Sequence, residues 1–168
     1  MFRKYFAATM ALAAAGTVAT AGCAETMAGA QPAAIRDNPR TLGRGINFGN
    51  MLEAPKEGEW GVRVEEPYFK LVKDAGFEHI RVPIKWSTRT AAQAPFAIEP
   101  EFFKRVDWVL DNAQRHNLKA VINVHHFDEL MKEPDAQLPR LVAMWTQIAE
   151  RYKNRPNSVF FELLNEPM

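Results

Sequence analysis

Three groups of polar residues interrupt apolar runs in this chain, and each could move protons or bind hydroxyls. Asn165-Glu166-Pro167 follows Phe160-Phe161-Glu162-Leu163-Leu164. Pro167 has no backbone N–H, so it stops a strand from pairing further. Glu166 is then expected at the rim of a largely apolar sheet. Partial burial there raises a carboxyl pKa toward the working pH, as a general acid requires. Asn165 beside it can bond a substrate hydroxyl. The alternative is that Asn-Glu-Pro merely forms a turn. His125-His126 follows the apolar run Val121-Ile122-Asn123-Val124. Successive strand residues point to opposite faces, so the pair cannot easily clamp one ion, and no third ligand is obvious. Arg81 sits inside His79-Ile80-Arg81-Val82-Pro83-Ile84. A charge in an apolar strand needs a partner.

The elements that must position these groups alternate in type. Gly45 to Asn50 reads as a short first strand running into a loop. Glu65 to Ala75 reads as a helix, with Pro67 in its first turn, Phe69, Val72 and Ala75 on one face, and Gly76 as its stop. His79 to Ile84 is the second strand. Pro100 opens a second helix whose stripe is Phe102, Val106, Val109 and Ala113. Ala120 to Val124 is the third strand, Leu138 to Tyr152 the third helix, and Val159 to Leu164 the fourth strand. Asp128-Glu129 reads as a solvated loop or a helix start. Trp145 lies on a helical stripe and reads as core.

The strands are short apolar runs without clean alternation, which suits a parallel sheet covered by helices. A βαβα order leaves two main architectures, a closed (β/α)₈ barrel or an open doubly wound sheet. No glycine-rich phosphate loop follows the first strand, which counts against a dinucleotide-binding sheet. The polar residues Asn50 and Glu53, Trp86, His125 and His126, and Asn165 and Glu166 fall just after strand ends. Barrels carry their chemistry at that face. The fold class expected is therefore α/β, a (β/α)₈ TIM barrel truncated to roughly its first half, strands 1–4 with three helices. Strands one and four would then be open edges, which invites instability or self-association.

Five stretches make a family resemblance specific: residues 45–55 (GINFGNMLEAP), 75–87 (AGFEHIRVPIKWS), 121–126 (VINVHH), 145–153 (WTQIAERYK) and 160–167 (FFELLNEP). Over nearly all of residues 42–168 the chain resembles family 5 glycoside hydrolases, the endo-β-glucanases and β-mannanases. The resemblance implies that Glu166 is the general acid/base and that Asn165 orients substrate and nucleophile. It implies that Arg81 lies beneath the nucleophile and keeps it ionised. It also implies that His125, His126, Asn50 and Glu53 line the sugar sites. Trp86 and Trp60 are candidates to stack on sugar faces or simply to pack. Glu162 is expected to face a structural neighbour. The expected partner is a β-linked polysaccharide or oligosaccharide: cellulose or mixed-linkage glucan first, mannan or xyloglucan second. A noncatalytic carbohydrate-binding barrel is the rival of a different class. No cofactor, no metal and no obligate protein partner are expected.

A retaining glycosidase needs a second carboxyl about 5–5.5 Å from the first. The family takes it from strand seven, so the 168-residue chain is expected to be catalytically incompetent, with Arg81's natural partner beyond Met168.

Composition agrees with a globular protein. The chain has 21 basic and 20 acidic residues, a formal net charge of +1 and 47% hydrophobic residues, with no electrostatic footprint for nucleic acid. Residues 1–30 read as a secretory signal peptide: Arg3 and Lys4, then an uncharged Ala-rich segment from Phe6 to Ala21, then small residues. Residues 31–41 read as a leader or linker, and 42–168 as the half barrel. Secretion or delivery to the periplasm is expected. Cys23, the only cysteine, permits a lipoprotein reading, but Thr20 stands where such sites usually carry a larger aliphatic residue. The preferred reading is a cysteine discarded with the signal peptide.

Overall fold

The computed structural model describes residues 42–155 and 157–167. The expected signal peptide, the linker and Cys23 lie outside the described residues. Four strands, β1 (Gly45–Asn47), β2 (His79–Val82), β3 (Lys119–Asn123) and β4 (Val159–Glu162), form one parallel sheet in chain order. Helices α1 (Glu66–Asp74) and α2 (Pro100–Arg115) make the first two crossovers. A short α3 (Asp128–Lys132) and a long α4 (Pro134–Tyr152) make the third. This is the strand and helix order of the first half of a (β/α)₈ barrel.

The register explains how one sheet can be apolar on one side and charged on the other. Ile80 pairs with Ala120, and Val82 with Ile122. These four are at most 2% exposed and join one core with Phe69, Val106, Val109 and Ile148 of the helices. One residue out of phase, Asn47 pairs with Arg81, Arg81 with Val121, and Asn123 with Glu162. Side chains alternate along a strand, so these polar residues share the opposite face. Pairing in equal register turns a period of two into two chemically distinct surfaces.

Helix ends follow local chemistry. Pro100 and Pro134 occupy first-turn positions, where a missing N–H costs nothing. α1 ends in a Schellman motif: Phe77 N–H reaches the Val72 carbonyl at 3.2 Å and Gly76 N–H the Lys73 carbonyl at 2.9 Å. Gly76 takes φ +80 there, the conformation glycine adopts most cheaply. α2 ends the same way on Asn117, at φ 53, with Leu118 N–H bonded to the Ala113 carbonyl at 2.9 Å.

Several element boundaries differ from expectation; β2 and β4, for example, end early, at Val82 and Glu162. β1 is only three residues long, because the chain turns at Asn50 with φ 64. The third crossover helix begins at Pro134, four residues before Leu138, so Pro139 lies inside it. Asp128 does start a helix, the separate α3. Trp145 is partly buried against the core, and its indole N–H donates to the Leu163 carbonyl at 2.9 Å. Beside it, Leu138, Val142, Phe161 and Leu163 stay exposed along α4 and the β4 edge.

Ile122→Ala is expected to cost about 2–5 kcal/mol, because its side chain is fully buried between sheet and helices. Phe161→Ala should cost clearly less, since Phe161 is 44% exposed. Urea denaturation of the two variants side by side checks the contrast.

Candidate active site

The polar face of the sheet is organised by Arg81. Its Nε donates to Glu162 Oε2 at 2.7 Å and its Nη2 to Glu162 Oε1 at 2.5 Å, a two-pronged pair from β2 to β4. The same Nη2 donates to Asn165 Oδ1 at 2.9 Å, and Nη1 to Asn47 Oδ1 at 3.4 Å. One guanidinium thus links β1, β2, β4 and the rim. The expectation that Arg81's partner lies outside the chain is corrected: Glu162, two strands away on the same face, neutralises it. Glu162 thereby has the structural neighbour expected of it. The Arg81 hydrogen bonds hold the Glu162 carboxyl below its ordinary range, against a smaller opposing effect of burial. The Glu162 bonds in turn raise the pKa of Arg81.

A guanidinium only donates, so Asn165 must face it with the amide oxygen, which turns the amide nitrogen the other way. The Asn165 backbone N–H donates to the Val124 carbonyl at 3.0 Å, extending the β3–β4 ladder one step past the strand. Glu166 follows at φ 46, His126 at φ 50 and Asn50 at φ 64. Non-glycine residues in this region are uncommon and concentrate at functional sites. Three of the five such residues described stand at strand ends along one rim. The left-handed turn also breaks the alternation that would send His125 and His126 to opposite faces. Their rings lie 4.4 Å apart, edge to face.

His126, Asp128, Met131, Asn165 and Glu166 line one recess, so the loops after β3 and β4 open on a common space. Glu166 is exposed there, not partly buried as the sequence suggested, because β4 is an edge strand of this sheet. His125 is half-buried, and burial, with help from His126 and Arg81, lowers its pKa below the ordinary 6.5.

Two expected sugar contacts are corrected. Trp86 has no exposed surface; its ring packs against Phe102 and Phe103 at 5.4 and 5.6 Å, and its indole N–H donates to the Asn123 carbonyl at 3.0 Å. It presents no face to a ligand. Glu53 is 4% exposed, and its carboxylate accepts the backbone N–H groups of Asn50 and of Met51, the latter at 2.9 Å. It shapes the loop that carries Asn50 and offers no open face to a ligand. Trp60 is the better platform, 44% exposed with its ring 6.1 Å from His126. Arg105 of α2 pins this loop, donating to both Glu57 carboxylate oxygens at 2.9 and 2.7 Å and to the Val64 carbonyl at 2.6 Å. Sequence reasoning also missed Asn123, fully buried on β3; its signal was an amide inside an apolar strand. Among the described residues no group of three or more His, Cys, Asp or Glu is arranged to hold a metal ion.

Acid should destabilise this site in two steps. His125 takes up a proton in the unfolded chain at the ordinary 6.5 but only lower in the fold, so stability begins to fall as pH drops through that value. The Glu162 contribution is full above its ordinary 4.5 and is lost as pH falls toward its lower folded pKa. Glu162→Gln should remove the second step and cost about 1–2 kcal/mol at neutral pH, the low end for charged hydrogen bonds because solvent screens the pair. Urea midpoints measured from pH 7 to pH 3 check both.

Comparison with known proteins identifies the family. Residues 43–168 match the family described as cellulase (glycosyl hydrolase family 5). Endoglucanase H of Acetivibrio thermocellus is 38% identical over 128 residues, which cover 76% of this chain and 14% of that protein. The structure of Thermotoga maritima Cel5A in complex with mannotriose is 52% identical, with a TM-score of 0.74, covering 75% of this chain and 41% of that one. Its complex with cellobiose gives 52% identity and a TM-score of 0.75, covering 76% and 42%. The chain thus spans less than half the length of these relatives. By the family match over three quarters of its residues and the parallel sheet that carries them, the chain belongs to glycosyl hydrolase family 5, the cellulase family.

Proposed function

We propose that the protein to which this segment belongs hydrolyses internal β-1,4 bonds of a β-glucan with retention, using Glu166 as general acid/base. The observation that carries this reading is the shared recess: Glu166, Asn165 and His126 line one space above the Arg81–Glu162 pair. Endoglucanase H and the cellobiose-bound Cel5A support a glucan as substrate. The mannotriose complex, at 52% identity, favours β-mannan as the second reading.

In this mechanism Glu166 donates its proton to the glycosidic oxygen while the bond to the anomeric carbon breaks. A second carboxylate attacks that carbon, and Glu166, now ionised, takes a proton from the water that releases the product. Asn165, its amide oxygen held by Arg81, directs N–H groups toward a sugar hydroxyl. Glu53 and Glu162 are both committed, one to backbone amides and the other to Arg81 and Asn123. Neither is free to attack, and the resemblance to family 5 implies a nucleophile from strand seven, outside the described residues. A polymeric glucan cannot enter a cell, and export directed by residues 1–30 belongs to the same reading.

Glu166→Gln in the whole protein should lower kcat about 10²–10⁴-fold on β-1,4-glucans. A panel of β-glucans and β-mannans assayed with this variant as control tests the class, and unchanged turnover sinks it. The purified 168-residue chain should release no reducing sugar from a β-1,4-glucan. Sustained release by that chain would overturn the assignment of the nucleophile.

A further inference from the structure

Asn123 is fully buried, and all of its side-chain bonds are directional. The Ile84 backbone N–H donates to its Oδ1 at 3.3 Å. Its Nδ2 lies 3.1 Å from Glu162 Oε1 and 3.2 Å from His125 Nδ1. The orientation of this amide follows from its neighbours alone. A backbone N–H can only donate, so the amide oxygen must face Ile84. Glu162, ionised beside Arg81, can only accept, so the amide nitrogen must face Glu162. The two N–H bonds of that nitrogen then serve Glu162 and His125. A ring nitrogen that receives an N–H must present its lone pair, so the His125 proton resides on the other nitrogen.

We propose that Asn123 is a positioning residue that locks His125 as the neutral imidazole with its proton on Nε2, so that His125 meets a bound saccharide as a hydrogen-bond donor to one of its oxygens. The chain of constraint runs from Arg81 through Glu162 and Asn123 to His125. It starts from a fixed charge and ends on a fixed hydrogen. The charged and titratable groups around His125 are His126, Arg81, Glu53 and Glu162. The first two oppose a second proton on the ring, and the two carboxylates favour one. Both of those carboxylates are already engaged, by backbone amides and by Arg81. The part of the proposal that concerns a saccharide rests on the function proposed above; the tautomer does not.

The test is nitrogen-15 NMR of the His rings in the whole protein to which this segment belongs, with His125→Gln to identify the His125 signals. The expected wild-type pattern at pH 7 is an unprotonated Nδ1 and a protonated Nε2. Asn123→Asp replaces the donor by an acceptor of the same shape. It should move the His125 proton to Nδ1 or make the ring doubly protonated, and leave His79 and His116 as they were. A wild-type ring protonated on Nδ1 overturns the proposal. So does an Asn123→Asp spectrum in which His125 is unchanged. The wild-type spectrum, assigned with His125→Gln, does not depend on Asn123→Asp, so it decides the tautomer even if Asn123→Asp does not fold. Failure of the glucan assay would leave these spectra unmoved, so the two readings fail separately.

Discussion

The contact between Arg81 and Glu162 is the constraint on which the polar side of this sheet depends. A guanidinium and a carboxylate placed on β2 and β4 must reach each other across β3. Their two-pronged bond ties β2 to β4 on that side. Two polar side chains nearby take their orientation from that pair. Asn165 turns its oxygen to the cation, and Asn123 turns its nitrogen to the anion. Both residues are amides, groups that present either a donor or an acceptor according to the way they turn. Placing two amides on opposite poles of one ion pair removes that ambiguity from each.

The apolar side works by a different principle. Ile80, Val82, Ala120 and Ile122 need only shape and burial, and the helices supply both. Such packing accepts another apolar side chain of similar volume, whereas a hydrogen-bond relay needs the right donor or acceptor at every position. The same four strands therefore carry one surface selected by shape and one selected by hydrogen-bonding direction, separated by the thickness of the backbone. The rim joins the two. There the chain leaves the strand conformation in left-handed residues at Asn50, His126 and Glu166, and the last two open on one recess.

Much of this was readable in the residues. The strands showed as apolar runs, and two helix starts showed as Pro67 and Pro100 in first turns. Gly76 marked a stop because the motif that ends α1 needs a left-handed residue. Asn117 performs the same task less visibly, since asparagine also appears in many other settings. What could not be read was pairing across the sheet. That Arg81 meets Glu162 depends on the register of β2, β3 and β4, which no local pattern encodes. Trp86 illustrates the same limit. Its place just after a strand end suggested a ligand-facing ring, but α2 brings Phe102 and Phe103 over it. Glu53 looked like a rim carboxylate until the turn at Asn50 folded two amides onto it. In each case the type of residue was informative, and its long-range neighbour decided the role.

The order of the strands has a consequence for the history of the molecule. Each strand pairs with the one synthesised just before it, so the sheet can lengthen from one side as the polypeptide emerges from the ribosome. Nothing already assembled has to reopen to admit a later strand. At every stage the newest strand presents an unpaired edge, and β4 adds to its edge the exposed side chains of Phe161, Leu163 and Val142. Transiently exposed apolar surface of this kind is what makes partly assembled chains prone to aggregate.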